Sequence, residues 1–210
     1  MPRSTVTTAR KPARLADHLI AWALGVAYVA ILMTTADMGF TRDESFYFHA
    51  AAEYSGWFEE LGDNIREHRV AASFTQDSVD RHWSYNPEHP VLAKTSFALG
   101  KLIFGDTLEW MSPSLALRFP AMVFAGLLLV VVFVFTREVS GSRLGALIAV
   151  MALATMPRFF FHAHLTCFDV PMTTVWVLFM YAYWRSLEST PWAWATGVLW
   201  GVALITKLNG

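Results

Sequence analysis

The run Arg42-Asp43-Glu44-Ser45-Phe46-Tyr47 comes directly after the first long apolar segment of the chain. An acidic pair at the mouth of a membrane helix is expensive unless a partner or a reaction uses it. Downstream, Phe46, Tyr47, Ala50, Ala51, Tyr54, Trp57, Phe58 and Leu61 recur at helical spacings. That period predicts an amphipathic helix lying along a surface, with the acidic pair in its first turn. Glu44 has two open readings. With Thr41 it fits a capping box, in which the Thr side chain and the Glu each satisfy a backbone donor at the helix start. Alternatively it belongs to a site. Capping does not account for Asp43, whose carboxylate is left to face whatever lies above the membrane.

Working outward, 55% of the 210 residues are hydrophobic and 16% charged, against about 25% charged in a soluble domain. That balance reads as an integral membrane protein. The net charge of −1 says nothing about nucleic acid, and no basic face interleaved with aromatics suggests it, so no nucleic-acid partner is expected. The single cysteine, Cys167, rules out an internal disulfide and reads by default as a buried, inert thiol. Arg3, Arg10, Lys11 and Arg14 precede an apolar run, as in a signal peptide. The run Leu19–Ala36, however, has 18 uncharged residues and no small-residue cleavage site after it, which predicts a retained membrane helix. By the positive-inside rule, residues 1–17 form a cytoplasmic basic tail.

An all-α, multi-pass architecture with about five membrane helices follows, spread over residues 18–210. Residues 37–114 form a 78-residue external loop, too long to be structureless. Its first third is the amphipathic helix, and its middle, Gly62–Tyr85, is polar and expected to be mostly solvated. Asn86-Pro87-Glu88-His89-Pro90-Val91-Leu92-Ala93-Lys94 then opens a second helix to about Phe104. There Leu92, Ser96, Leu99 and Ile103 share a face, and Pro90 suits a first helical position. Helix two runs Leu115–Phe135, interrupted only by Arg118 and Pro120. Helix three, Leu144–Met156, is too short to cross alone and must extend through Arg158–Phe161 or sit tilted in protein. Helix four runs from about Val170 to Trp184, and helix five is Trp192–Lys207.

Under this topology Asp43/Glu44, Glu88/His89/Lys94, His162/His164/Asp169 and Lys207 meet at the outer level. Each has a plainer reading: solvated loop charges, interfacial histidines, Asp169 capping helix four, Lys207 snorkelling. Their coincidence on one side points to a site. No cofactor is identified beyond a divalent metal, for which Glu88, His162 and His164 are candidate ligands.

At this point the residues carry a resemblance. RDESFYFHAAAEY resembles the Asp-Glu motif of GT-C class membrane glycosyltransferases, closest to the dolichyl-phosphate-mannose protein mannosyltransferase family and its bacterial lipid-carrier-dependent relatives. NPEHPVLAK is similar to that family's His-Pro-Pro-Leu-x-Lys segment, with Val91 in place of the second Pro. SLALRFPAMVFAGLLLV resembles its Arg-x-Pro helix start, and FDVPMTTVWVLFMYAYWR and GVALITKLNG resemble the helices that follow. The order of the motifs is more specific than any one of them. The resemblance implies a multi-pass protein of a bacterial inner membrane that transfers a sugar from a polyprenyl-phosphate carrier to a protein or lipid acceptor on the outer face.

Such chemistry assigns catalysis to the Asp43/Glu44 pair, with Asp43 as the base. Cations would stabilise the leaving phosphate, and Lys94, Arg158 and Lys207 are available. Glu88, His89 and Asp169 would complete the substrate and carrier-phosphate contacts. Family members carry more membrane helices than this chain, so it is expected to be the N-terminal portion of such an enzyme. The alternatives are a non-catalytic fragment of one and, less consistent with the long outer loop, a transporter subunit.

Overall fold

The computed structural model describes residues 12–206, so residues 1–11 of the tail and Lys207 lie outside the described residues. Around the longest helix, α5 (Pro113–Ser140), the others are arranged. Its start is set locally: the Ser112 hydroxyl accepts the Leu115 N–H at 3.4 Å, and Pro113, which has no N–H to lose, takes the first turn. Its end is equally local, since Gly141 adopts the left-handed conformation (φ 68°) that a side chain resists. Pro120 stands inside the helix and has no N–H for the Ala116 carbonyl.

Against α5 lie α1 (Leu15–Thr34), α6 (Arg143–Ala154) and α8 (Asp169–Ser186), with α9 (Thr190–Thr206) beside α8. Leu32, Leu128, Leu129, Phe133 and Val150 are among the buried residues of this core. The described residues are all-helical, without a strand, and α1 and α5 are long and apolar enough to cross a membrane. The first helix begins at Leu15 rather than Leu19, which shortens the tail to Arg14. Asp17 is tolerated in its first turn because it accepts the Arg14 N–H at 2.9 Å and the Arg143 Nε at 2.5 Å. Helix three does not extend as one rod. It breaks at Thr155-Met156, and α7 (Pro157–His162) starts anew with a proline at its first position. Helix four starts at Asp169, one residue earlier than expected.

The long loop is a folded layer of α2 (Glu44–Arg66), a 3-10 turn (Val70–Phe74), α3 (Gln76–Trp83) and α4 (Val91–Gly100), which runs into a π-helical turn, Lys101–Thr107. Here two expectations change. The polar middle folds back, so that Trp83 packs at a tilt on Tyr54 at 4.1 Å and edge-on to Trp57 at 5.4 Å, with Asn64 bonded to Ser73. Much of the α2 stripe is therefore covered by protein: Ala51 and Tyr54 pack with Ala93, Phe97 and Ala98 of α4 and Leu117 and Ala121 of α5. On α4 the buried face is Ala93, Lys94, Phe97, Ala98 and Gly100, not Leu92, Ser96, Leu99 and Ile103. Close approach to α5 at Gly100 turns this face inward. A Cβ on Gly100 would stand 2.6 Å from the Ala116 carbonyl oxygen and 2.6 Å from Pro120 Cγ.

Charges bound the apolar length of α5. Arg118 and Glu138, both buried, are 20 residues apart, or about 30 Å along a helix, which is the hydrocarbon thickness of a bilayer. Glu138 takes Arg185 Nη1 at 2.8 Å, Tyr181 Oη at 3.3 Å and the Ala13 N–H at 3.2 Å. Arg118 anchors the opposite end.

Between these ends α1 crosses α5 glycine to glycine. A Cβ on Gly126 would lie 2.6 Å from Val29 Cγ2 and 2.8 Å from the Gly25 carbonyl oxygen. Gly126→Ala is expected to cost about 1–3 kcal/mol by overpacking, read as a lower unfolding temperature in detergent. Gly62→Ala in α2, with nothing within 4 Å, should instead gain about 0.5–1 kcal/mol from helix propensity.

Candidate active site

The acidic pair divides in two. Glu44, the first residue of α2, is fully buried against Arg118 of α5, with Oε1 accepting from Nε at 2.8 Å and Oε2 from Nη2 at 2.9 Å. The rest of the guanidinium donates to the carbonyls of Ala36, Met38 and Gly39 at 3.0–3.2 Å, and the Phe40 ring lies 5.1 Å from its centre. Glu44 also accepts the N–H of Thr41 at 3.0 Å and of Thr166 at 3.1 Å. Burial by itself would raise its pKa. The Arg118 guanidinium and the two N–H groups outweigh burial and hold the carboxyl below its ordinary range. The Thr41 contact is only half of a capping box, because α2 takes Asp43 as its N-cap. What holds Glu44 is a residue 74 positions away.

Asp43 points elsewhere. It is exposed, and its side chain makes no capping bond. One turn on, Tyr47 packs edge-on against Phe168 at 4.6 Å and against His89 at 6.2 Å, and His89 meets Phe168 at 5.2 Å. Burial, and after it the negative charge of Cys167, Asp43, Asp169 and Glu88, pushes the Tyr47 phenol up to about 12. The Tyr47, His89 and Phe168 rings thus join the start of α2, the turn before α4 and the residue before Asp169, the three segments that carry Asp43, Glu88/His89 and Asp169.

Lys94 holds the turn that carries His89. It is fully buried, with its Nζ 2.6 Å from the Asn86 carbonyl oxygen and 5.2 Å from the centre of the Tyr54 ring. Asn86 reaches it by adopting a positive φ of 55°, which asparagine accepts more readily than most residues. Burial lowers the Lys94 pKa to about 8, and Glu88 partly opposes this. The amine therefore pins the Asn86–His89 turn and is not open to a ligand. Glu88 is exposed and accepts from Asn86 Nδ2 at 2.9 Å.

The two histidines separate. His164 is buried, with Nε2 2.8 Å from Thr35 Oγ1 and Nδ1 2.8 Å from the Phe160 carbonyl oxygen, so both nitrogens are engaged and it is no metal ligand here. His162 turns to Asp169, Nδ1 to Oδ2 at 2.9 Å. Asp169 is the first residue of α8 rather than its cap. Arg158 is exposed on α7, and Lys207 lies outside the described residues. Two groups were missed in the sequence. Arg118 read as an interruption in a membrane helix, though a lone intramembrane arginine is itself a signal for a buried partner. Tyr47 read as one aromatic among many.

The family model for dolichyl-phosphate-mannose-protein mannosyltransferase matches residues 88–210, more than half of the chain. The match takes in Lys94, Arg118 and Asp169, and the acidic pair joins it through the Glu44–Arg118 contact. No curated protein and no solved structure matches the chain.

Removing one partner of a buried ion pair strands the other, at about 3–5 kcal/mol. Glu44→Gln and Arg118→Met are each expected to destabilise by that order in thermal unfolding, and the double variant by less than their sum. Because the Glu44 pKa is depressed in the fold, its contribution is present above the ordinary carboxylate range and is lost as pH falls through the lowered value. The gap between wild type and Glu44→Gln should therefore close in acid. For Lys94 the unfolded chain holds the extra proton between pH about 8 and the ordinary 10.5. Stability should rise across that window, and Lys94→Met should remove the rise.

Proposed function

The chain belongs to the dolichyl-phosphate-mannose-protein mannosyltransferase family, and from that premise we propose that it transfers a sugar from a polyprenyl-phosphate carrier to a hydroxyl or phosphate of a protein or lipid acceptor. Two of its helices are suited to crossing a membrane. In this reading α6–α7, α8 and α9 make shorter crossings for five in all, the basic N-terminus is cytoplasmic, and the Arg118 end of α5 faces outward in a bacterial inner membrane.

The observation that carries the reading is the division of the acidic pair. Glu44 is locked to Arg118, so the backbone at the start of α2 is held rigidly while the neighbouring Asp43 stays exposed, one turn before the Tyr47 ring that meets His89 and Phe168. A base must be accessible, ionised and held still, and Asp43 meets the geometric part of that requirement. In the transfer, Asp43 takes the proton of the acceptor hydroxyl as its oxygen bonds to the anomeric carbon. The bond from that carbon to the carrier phosphate breaks, and the electron pair leaves with the phosphate. Cations offset the charge that develops there, and exposed Arg158 is available for this, with Lys207 a further candidate from the sequence. Enclosed Lys94 acts through the Asn86–His89 turn that it pins.

Asp43→Asn is expected to lower transfer from a polyprenyl-phosphate sugar by about 10²–10⁴, the usual contribution of a general base, with unfolding temperature unchanged because the side chain is exposed. Undiminished transfer by this variant would remove Asp43 from the chemistry.

A further inference from the structure

The connection from α7 to α8 is short and tightly wound. Leu165 N bonds back to the His162 carbonyl, Cys167 N to that of Leu165, and Met172 N to that of Phe168. This winding carries the last residue of α7, His162, round to the first residue of α8, Asp169, with Cys167 between them. One ligand atom from each of the three lies within 4.8 Å of the other two. His162 is half-buried, Cys167 buried and Asp169 exposed, so solvent reaches the cluster at Asp169. It differs from the histidine pair suggested by the sequence, since His164 faces Thr35 and Phe160.

We propose that His162, Cys167 and Asp169 bind a Zn²⁺-class divalent ion. Imidazole, thiolate and carboxylate are the donors zinc takes, at about 2.0–2.3 Å, which sets neighbouring donors roughly 3.5 Å apart in a tetrahedral shell. Atoms no more than 4.8 Å apart need approach one another by only about 1.3 Å to reach that spacing. The thiolate selects against magnesium and calcium, which prefer oxygen. On binding, the Cys167 S–H bond breaks, its proton passes to solvent, and the sulfur electron pair goes to the metal. Three protein ligands leave a fourth position, the arrangement that accepts water or a substrate oxygen. Phe168, between two of the ligands, packs on Tyr47 at 4.6 Å, and the Thr166 N–H donates to Glu44 at 3.1 Å, so the connection that carries the ligands is fastened to the start of α2. That a phosphate oxygen of the carrier takes the fourth position rests on the transferase reading above, whereas the ion site rests on the three ligands alone.

The test uses the full chain in detergent, stripped with a chelator and titrated with Co²⁺ and then Zn²⁺. Cys167 is the only cysteine, so a thiolate-to-cobalt charge-transfer band can come from nowhere else in the protein. One equivalent of Co²⁺ should produce the band and Zn²⁺ should abolish it. Zn²⁺ should also slow alkylation of Cys167 in the unaltered chain, a readout that no variant has to survive. Cys167→Ser should remove the band, and His162→Gln should weaken cobalt binding by at least about tenfold, since even outer-shell changes cost 10–100-fold. Absence of the band in the wild type, or unchanged cobalt affinity in Cys167→Ser, would overturn the site. Sugar transfer, measured separately, distinguishes the two readings: a chain that shows the band but no transfer keeps the ion site and counts against the enzyme.

Discussion

Arg118 offers five N–H donors in a rigid fork, and all five have acceptors: two on the Glu44 carboxylate and three on the carbonyls of residues 36–39. Desolvating such a pair is costly, and the cost is offset only when geometry and hydrogen bonding are complete. Here they are, because Glu44 also takes the N–H groups of Thr41 and Thr166. One ion pair thereby ties together α5, the linker out of α1, the start of α2 and the connection between α7 and α8. These segments are far apart in sequence and have little else in common. The site is built where they meet.

That arrangement separates a carboxylate that holds the fold from one that faces solvent. Glu44 has every lone pair committed and no exposure, whereas Asp43, one residue earlier, has the solvent side to itself. Lys94 repeats the pattern on α4. Enclosed under Tyr54, it spends its charge on the Asn86 carbonyl and so sets the turn that presents His89 to Tyr47 and Phe168. Buried charges position the exposed groups in both cases. The opposite end of α5 uses the same device. Glu138 with Arg185 and Asp17 with Arg143 fasten helix ends together, and the Tyr181 and Trp192 rings lie against the Arg185 guanidinium.

Length, hydropathy and period determined a good deal by themselves. The all-helical class, the membrane character, the amphipathic α2 and the acidic pair at its start were all legible, because each depends on residues within a turn or two of one another. So was the family, since its motifs are short and their order survives in one dimension. Tertiary structure decided which residue each charge meets. Thr41 is the nearest partner for Glu44 along the chain, yet Arg118, 74 residues on, determines its state. On α4 the sequence shows that Leu92, Ser96, Leu99 and Ile103 share a face, but the close approach of Gly100 to Ala116 and Pro120 decides that Ala93, Lys94, Phe97 and Ala98 are the ones buried. His162 and His164 look alike in the sequence, but a turn of chain sends one to Thr35 and the other to Cys167 and Asp169. Burial and ion pairing depend on distance through space, which no local pattern encodes, and those two quantities separate the groups that hold this site from the groups that face it.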